Sequence, residues 1–356
     1  MSEAGSGREP PILAARDLAV SFRLRRLSLF GPPPVLRAVD GVSFEIGRGE
    51  TVGLVGESGS GKSTTGRAIL RMEPLARGSI VFDGTDISTL GKRELRPLRR
   101  RMQMVFQDPY SSLDPSMVVA DSVAEPLEVH EDLSRQARLE RVEEAFRRVH
   151  LSQHHMQRYP YEFSGGQRQR LAIARAIILE PDLIVADEAV SALDVSTQSQ
   201  IINLLRELQA KLGIAYLFIA HDLALVRRVS HRIAVMYLGK LVEQGPAERV
   251  YHHPAHPYTA ALLSAIPYPH PRIQRQRERV VLEGDLPSPT APPPGCHFHT
   301  RCPWAMEICR SVEPPTTPIE GGGSVACHLQ SEGPKLEGRP LRSATPAGTG
   351  RTVNHL

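Results

Sequence analysis

Cysteine is scarce in this 356-residue sequence, with four residues, Cys296, Cys302, Cys309 and Cys327, all in one C-terminal segment. That excludes a disulfide-built scaffold running through the chain. Long apolar runs are missing too: nothing approaches the roughly 18 consecutive apolar residues a membrane helix needs. The start, MSEAGSGREPP, lacks the apolar region of a signal peptide, so the expected location is cytoplasmic. Neither sign of charge dominates. The 43 basic and 39 acidic residues leave +4, without the global field of a nucleic-acid binder, and no nucleic-acid partner is expected. One basic run, KRELRPLRRR from Lys92 to Arg101, reads as a solvated face, with phospholipid head groups or a partner as the alternative. Lysine is rare, at five of the 43 basic residues.

What remains is ordinary for a globular protein: 41% hydrophobic and 23% charged residues, enough chain for one large domain with an appendage or two modest ones. GETVGLVG (Gly49 to Gly56) predicts a buried strand ending in a Gly-rich turn, and KSTTGRAILRM a helix after it. SIVFDG predicts another strand. From about 108 to 161 the texture turns helical: Leu139, Val142, Phe146 and Val149 recur at i, i+3, i+7 and i+10 among charges. Three apolar runs follow, DLIVAD, IAYLFIAH and RIAVMYLG, with helical stretches between them. The expectation is an α/β fold with a mostly parallel sheet and helices on its faces.

GESGSGKS (Gly56, Glu57, Ser58, Gly59, Ser60, Gly61, Lys62, Ser63), continued by Thr64, fits the phosphate-loop pattern G-x-x-x-x-G-K-[ST] and sits between strand and helix as that pattern demands. Glycines let backbone N–H groups turn inward around phosphates, and the helix N-terminus adds positive potential. Lys62 reaches the outer phosphates and the Ser63 hydroxyl is a Mg²⁺ ligand. DLIVADE ends a strand with Asp187 and Glu188 at the mouth of the sheet, where ligands of such folds bind. Asp187 is expected to hold Mg²⁺ and Glu188 to polarise the attacking water, which makes the chain a hydrolase. In EFSGGQRQRLAIARAI, Ser164 reads as a helix N-cap, Gly165 and Gly166 leave the helix start bare, and Leu171, Ala174 and Ile178 bury one face.

With these motifs in this order, residues 12 to 270 closely resemble the ATP-binding subunits of ABC transporters. The resemblance implies a P-loop core with an antiparallel β subdomain and a helical subdomain. It makes SGGQ (Ser164, Gly165, Gly166, Gln167) the signature motif, and SALD (Ser191 to Asp194) the D-loop. Gln107 becomes the Q-loop residue, sensing γ-phosphate and touching Mg²⁺, His221 the switch histidine, and Phe22 the aromatic that stacks on adenine. RRRMQMVFQDPYSSLDPSM, FIAHDLALV and HPYTAALLSAIP narrow the resemblance to the second ATPase of di- and oligopeptide importers, although importers of nickel, glutathione or oligosaccharides look alike. Soluble ABC ATPases of DNA repair or ribosomes share the nucleotide motifs but carry tandem domains or coiled-coil insertions, which this sequence lacks. Ala189 stands where the family usually has proline, and His231 where aspartate is more usual.

The implied machine sandwiches ATP between the phosphate loop of one subunit and SGGQ of another. Its parts are a second ATPase subunit forming a heterodimer, two transmembrane permeases and an extracytoplasmic substrate-binding protein, with this chain peripheral on the cytoplasmic face of the membrane. The expected division is a disordered start (1–11), the nucleotide-binding domain (12–253), an importer-type extension (254–328) and a disordered tail (329–356). By spacing alone, the four cysteines, with His297, His299 and His328 nearby, leave a metal and free thiols equally open. The pattern GCxFxxRCxxAxxxC…CH also resembles the extension of many peptide-importer ATPases. That resemblance implies a [4Fe–4S] cluster on Cys296, Cys302, Cys309 and Cys327, with zinc second, in a module outside the ATPase core.

Overall fold

The computed structural model describes residues 9–25, 33–108, 113–266, 282, 284–332 and 341. In chain order, β1 (Leu13–Arg23), β2 (Val35–Ile46) and β3 (Thr51–Val55) precede α1 (Lys62–Ile69). Next come β4 (Arg77–Phe82), β5 (Thr85–Asp86), α2 (Lys92–Arg101) and β6 (Met102–Val105), then the helices α3 (Val119–His130), α4 (Arg135–Arg148) and α5 (Gly165–Ile177). Strand and helix then alternate through β7 (Leu183–Asp187), α6 (Val195–Leu212), β8 (Ala215–Ala220), α7 (Leu223–Val229) and β9 (Arg232–Tyr237). After these come β10 (Lys240–Pro246), α8 (Ala247–His252), α9 (Pro257–Ala265), β11 (Thr316–Pro318) and β12 (Ser324–Ala326).

The main sheet has the order β11-β12-β10-β9-β3-β8-β7-β6, parallel from β9 to β6 and antiparallel beyond. Strands β3, β7 and β8 are buried along their whole length, which is why they read as unbroken apolar runs. Alternation then divides the core. Ile184 and Ala186 face the helical block of α3, α4 and α5, while Leu183 and Val185 face a second, antiparallel sheet of order β2-β1-β4-β5. SIVFDG lies in that second sheet, so a sheet as well as helices covers one face of the parallel strands.

Helix α4 starts at Ser134, whose Oγ accepts the N–H of Ala137, and buries Val142, Phe146 and Val149 with Leu139 at the margin. The basic run of α2 leaves Lys92, Arg93, Arg96 and Arg100 exposed, as a solvated face does, while its last arginines also find partners within the chain. Arg99 donates to the Arg71 carbonyl, Arg100 pairs with Glu131, and Arg101 bridges Asp83 and Asp182. No helix among the described residues is long and apolar enough to cross a membrane.

Two expectations need correction. The cysteine segment, expected as a module outside the ATPase core, packs directly on it: β12 pairs with β10 of the main sheet, Phe298 is 1% exposed in the main core, and Cys296 and Cys302 pack against it, while Val325, Cys327 and Leu329 belong to a small cluster of their own. The segment folds onto the sheet because its apolar residues have no core of comparable size to bury themselves in. The disordered tail does not begin at 329 either. Leu329 is 3% exposed, inside the turn His328–Gln330, and Gln330 Nε2 donates to the Ala255 carbonyl, so the described structure continues to Glu332. Residues 1–8, 333–340 and 342–356 lie outside the described residues.

Candidate functional site

Strand β3 delivers the phosphate loop at its C-terminal end, beside the ends of β8 and β7. Gly61 caps α1 with φ +103°, and a Cβ there would stand 2.1 Å from the Ala38 carbonyl oxygen, so only glycine fits. Lys62 is 4% exposed, with Nζ donating to the carbonyls of Gly56 (2.9 Å) and Glu57 (2.8 Å). Burial lowers its pKa, against the pull of Glu188, Asp187 and Glu57. Such an ammonium is a strong partner for an anion brought into the loop.

The Ser63 hydroxyl donates to Asp187 Oδ1 at 2.8 Å, across 124 residues of sequence. Asp187 is 3% exposed, and burial raises its pKa. A buried carboxylate joined to a helix-start hydroxyl offers the hard oxygen donors that would hold Mg²⁺.

Glu188 follows with φ +47°, a left-handed backbone that costs about 1 kcal/mol or more in a residue with a side chain. Its N–H is held by the Ile219 carbonyl, and its own carbonyl accepts the N–H and Oγ of Ser191 at 3.1 and 3.0 Å. The loop is thus pinned without a proline at Ala189, which is 3% exposed. The Glu188 carboxylate accepts Gln107 Nε2 at 2.8 Å and stands 3.9 Å from Nδ1 of the exposed His221, at the end of β8. Gln107, expected at Mg²⁺, therefore has its amide on Glu188, and no hydrogen bond among the described residues joins it to Ser63 or Asp187. His231 accepts the Thr51 N–H on Nδ1 at 2.9 Å, fixing the start of β3.

At α5, Ser164 Oγ accepts the Gln167 N–H while Gln167 Oε1 accepts the Ser164 N–H, a reciprocal capping box. A Cβ on Gly166 would lie 2.5 Å from Thr197 Cγ2, so the bare helix start lets the first turn of α6 approach. No hydrogen bond among the described residues joins Ser164–Gln167 to Gly56–Ser63. Phe22 lies near the end of β1, half-buried against the core of the second sheet. Residues 26–32, which follow it, lie outside the described residues.

Sequence reasoning missed two contacts on the loop. Arg301 donates to both carboxylate oxygens of Glu57, at 2.9 and 3.3 Å, and Tyr258 Oη accepts the Glu57 N–H at 2.8 Å. No spacing rule links residues this far apart; only the basic residue inside the cysteine segment hinted at it.

The four cysteines share one neighbourhood, because Cys296, Cys302 and Cys309 act electrostatically on one another and on Cys327. Burial pushes Cys296 up to about 11 and Cys302 up to about 12. His297, His299 and His328 are turned to the backbone carbonyls of Leu238, Cys296 and Val312. Among the described residues no group of three or more His, Cys, Asp or Glu side chains is gathered to hold a metal ion. Zinc and iron–sulfur therefore find no support in this geometry.

Residues 39–191 match the family described as ABC transporter, and residues 242–309 the one described as oligopeptide/dipeptide transporter, C-terminal region. A probable peptide ABC transporter ATP-binding protein, y4tS of Sinorhizobium fredii, is 54% identical over 84% of this chain and 84% of its own length. The chain belongs to the ABC transporter ATP-binding family. The oligopeptide transport ATP-binding protein AppF of Bacillus subtilis is 49% identical over 92% of this ABC protein and 99% of its own length. Among solved structures, the ABC cassette MJ0796, a dimer in a post-hydrolysis state bound to ADP and Pi, aligns with TM-score 0.59 and 28% identity over 66% of this chain and 98% of that one. The cbiO1 protein of Clostridium perfringens aligns with TM-score 0.59 and 30% identity over 68% and 91%. This protein is thus an ABC ATPase, with ATP as its substrate and Mg²⁺ the metal such enzymes use.

Proposed function

We propose that this protein is the ATP-hydrolysing subunit that drives a peptide importer. One observation carries the reading: an ABC ATPase region and an oligopeptide/dipeptide transporter C-terminal region follow one another in a single chain. Relatives named for peptide import, such as the putative peptide import ATP-binding protein of Brucella ovis, 50% identical over 90% of this chain and 98% of its own, support it.

In this reading the N–H groups of Gly56–Ser63 and Lys62 bind the phosphates, and Ser63 and Asp187 hold Mg²⁺, which would offset phosphate charge. Glu188 accepts a proton from the attacking water. Gln107, bonded to the Glu188 carboxylate, and His221, 3.9 Å from it, report whether the γ-phosphate is in place. Phe22 stacks on adenine. The signature helix start, Ser164–Gln167, serves the phosphate of a second ATPase subunit. ATP then favours the closed pair and hydrolysis the open one, a ligand-driven population shift. The second subunit is a different chain, and the pair sits peripherally on two permeases at the cytoplasmic face, fed by an extracytoplasmic substrate-binding protein.

The four cysteines remain candidates for a [4Fe–4S] cluster. Iron analysis after anaerobic purification decides this: a protein without iron removes the cluster.

The test of the main reading is purification of the tagged chain from its own membranes. Two hydrophobic permeases should accompany it, and vesicles of the complex should accumulate labelled peptide only with ATP. A complex that hydrolyses ATP yet takes up no di- or oligopeptide would overturn the substrate class.

A further inference from the structure

Glu57, the second residue of the phosphate loop, is held at three points. Lys62 Nζ donates to its carbonyl at 2.8 Å, its N–H donates to Tyr258 Oη at 2.8 Å, and its carboxylate receives the Arg301 fork at 2.9 and 3.3 Å. The last two holds come from the C-terminal extension, Tyr258 on α9 and Arg301 beside Cys302. The Arg301 side chain is only 9% exposed, and its guanidinium lies 5.9 Å from the centre of the Tyr237 ring. Behind it Tyr237 meets Tyr258 and Phe298 edge to face and the last two are tilted to each other, with ring centroids 4.8 to 5.5 Å apart. Leu286, from the same extension, would be 3.9 Å from a Cβ on Gly59.

This differs from a surface ion pair, which contributes little. The fork is bidentate and largely shielded, and its aromatic wall fixes the side chain before it meets the loop. A phosphate loop works by aiming successive N–H groups at one point, so the orientation of its first peptides sets the aim of the rest. With Glu57 fixed at N–H, carbonyl and side chain, that orientation is prepared in advance, and the ordering cost falls on the extension instead of on nucleotide binding.

We propose that Arg301 is a positioning residue for the nucleotide site: through Glu57 it makes the affinity of the phosphate loop depend on the cysteine-bearing extension being folded against it. The dependence is reciprocal, because a state that binds ATP better is also stabilised by ATP. Anything that remodels the segment around Cys302 thereby reaches the phosphate loop. The inference rests on the reading that Gly56–Ser63 takes the phosphates of ATP.

The test uses the full chain, titrated with a fluorescent ATP analogue and Mg²⁺. Arg301→Ala and Glu57→Gln should each weaken binding by roughly three- to ten-fold. Arg301→Lys, which keeps the charge and loses the fork, should fall between Arg301→Ala and the wild type. Exchanging the pair, Glu57→Arg with Arg301→Glu, should recover part of the loss. Hydrogen exchange over residues 295–309 should slow when the analogue binds the wild type and stay unchanged in Glu57→Gln, a readout that a purely structural arginine would not move. Glu57→Gln leaves the extension's own residues intact, so wild-type affinity and wild-type exchange in that variant would overturn the proposal even if Arg301→Ala misfolds. Lys62→Ala separates the two levels. If it too binds as wild type, the reading of the loop itself fails; if it alone loses binding, only the role of Arg301 falls.

Discussion

Gln107 Nε2 donates to Glu188 Oε2 at 2.8 Å, so the loop just beyond β6 and the carboxylate just beyond β7 share a direct bond. The donor is neutral, orients the carboxylate and leaves its charge available for a proton. Removing it in Gln107→Ala should lower kcat by about ten-fold or more while KM stays within about three-fold, since the contact is to the reacting carboxylate and not to the phosphates. Steady-state kinetics of the assembled transporter check this; a loss confined to KM would move Gln107 to substrate binding.

Asp187 and Ser63 form the metal pair. Asp187→Asn keeps the shape and the bond from Ser63 but removes the charge a divalent ion needs. Nucleotide binding measured in EDTA should change little, while the gain in affinity on adding Mg²⁺ should shrink by about ten-fold. An unchanged Mg²⁺ gain would take Asp187 out of the metal site.

The extension is anchored by a buried ion pair. Glu243, with a wholly buried side chain, accepts from Arg249 at 2.6 Å and from the N–H groups of Ala255 and His256, both at 2.9 Å. Arg249→Met leaves that carboxylate without its cation and should cost about 3–5 kcal/mol of stability. Adding Glu243→Gln, which removes the unpaired charge and keeps an acceptor for one of the two N–H groups, should restore part of it. Thermal unfolding of the three proteins gives the comparison.

Burial lowers the His256 imidazole from 6.5 to about 3, and its neutral Nδ1 accepts the Tyr258 N–H at 3.0 Å. Between those two values the unfolded chain binds a proton that the folded chain refuses. Stability is therefore fully present above about 6.5 and is lost as pH falls toward 3, by about 2 kcal/mol at pH 5. His256→Asn, which can still accept that N–H, should lack this slope. Glu243, whose carboxyl burial raises, acts in the opposite direction in both proteins, so the difference between their melting curves isolates His256.

Much of this site was legible from local pattern. The phosphate loop, the acidic strand end of β7 and the capped start of α5 each need particular residues at fixed spacing, because backbone N–H groups, a helix start and a strand end impose it. The stripe on α4 was readable for the same reason. The Gln107 bond to Glu188 was not, since the resemblance gave Gln107 a role toward metal and phosphate and said nothing of its partner. The seat of the cysteine segment was least legible. Its contacts, Arg301 to Glu57 and β12 to β10, join residues 244 and about 80 positions apart, and nothing periodic marks such pairs.

The most direct measurement of the account is ATP binding and turnover by the transporter assembled with Glu188→Gln. This substitution keeps the size and polarity of the side chain and removes the group that accepts a proton from water. The account predicts ATP affinity within a few-fold of wild type and turnover reduced by at least about 100-fold. Turnover near the wild-type rate would contradict it and move the chemistry away from the end of β7.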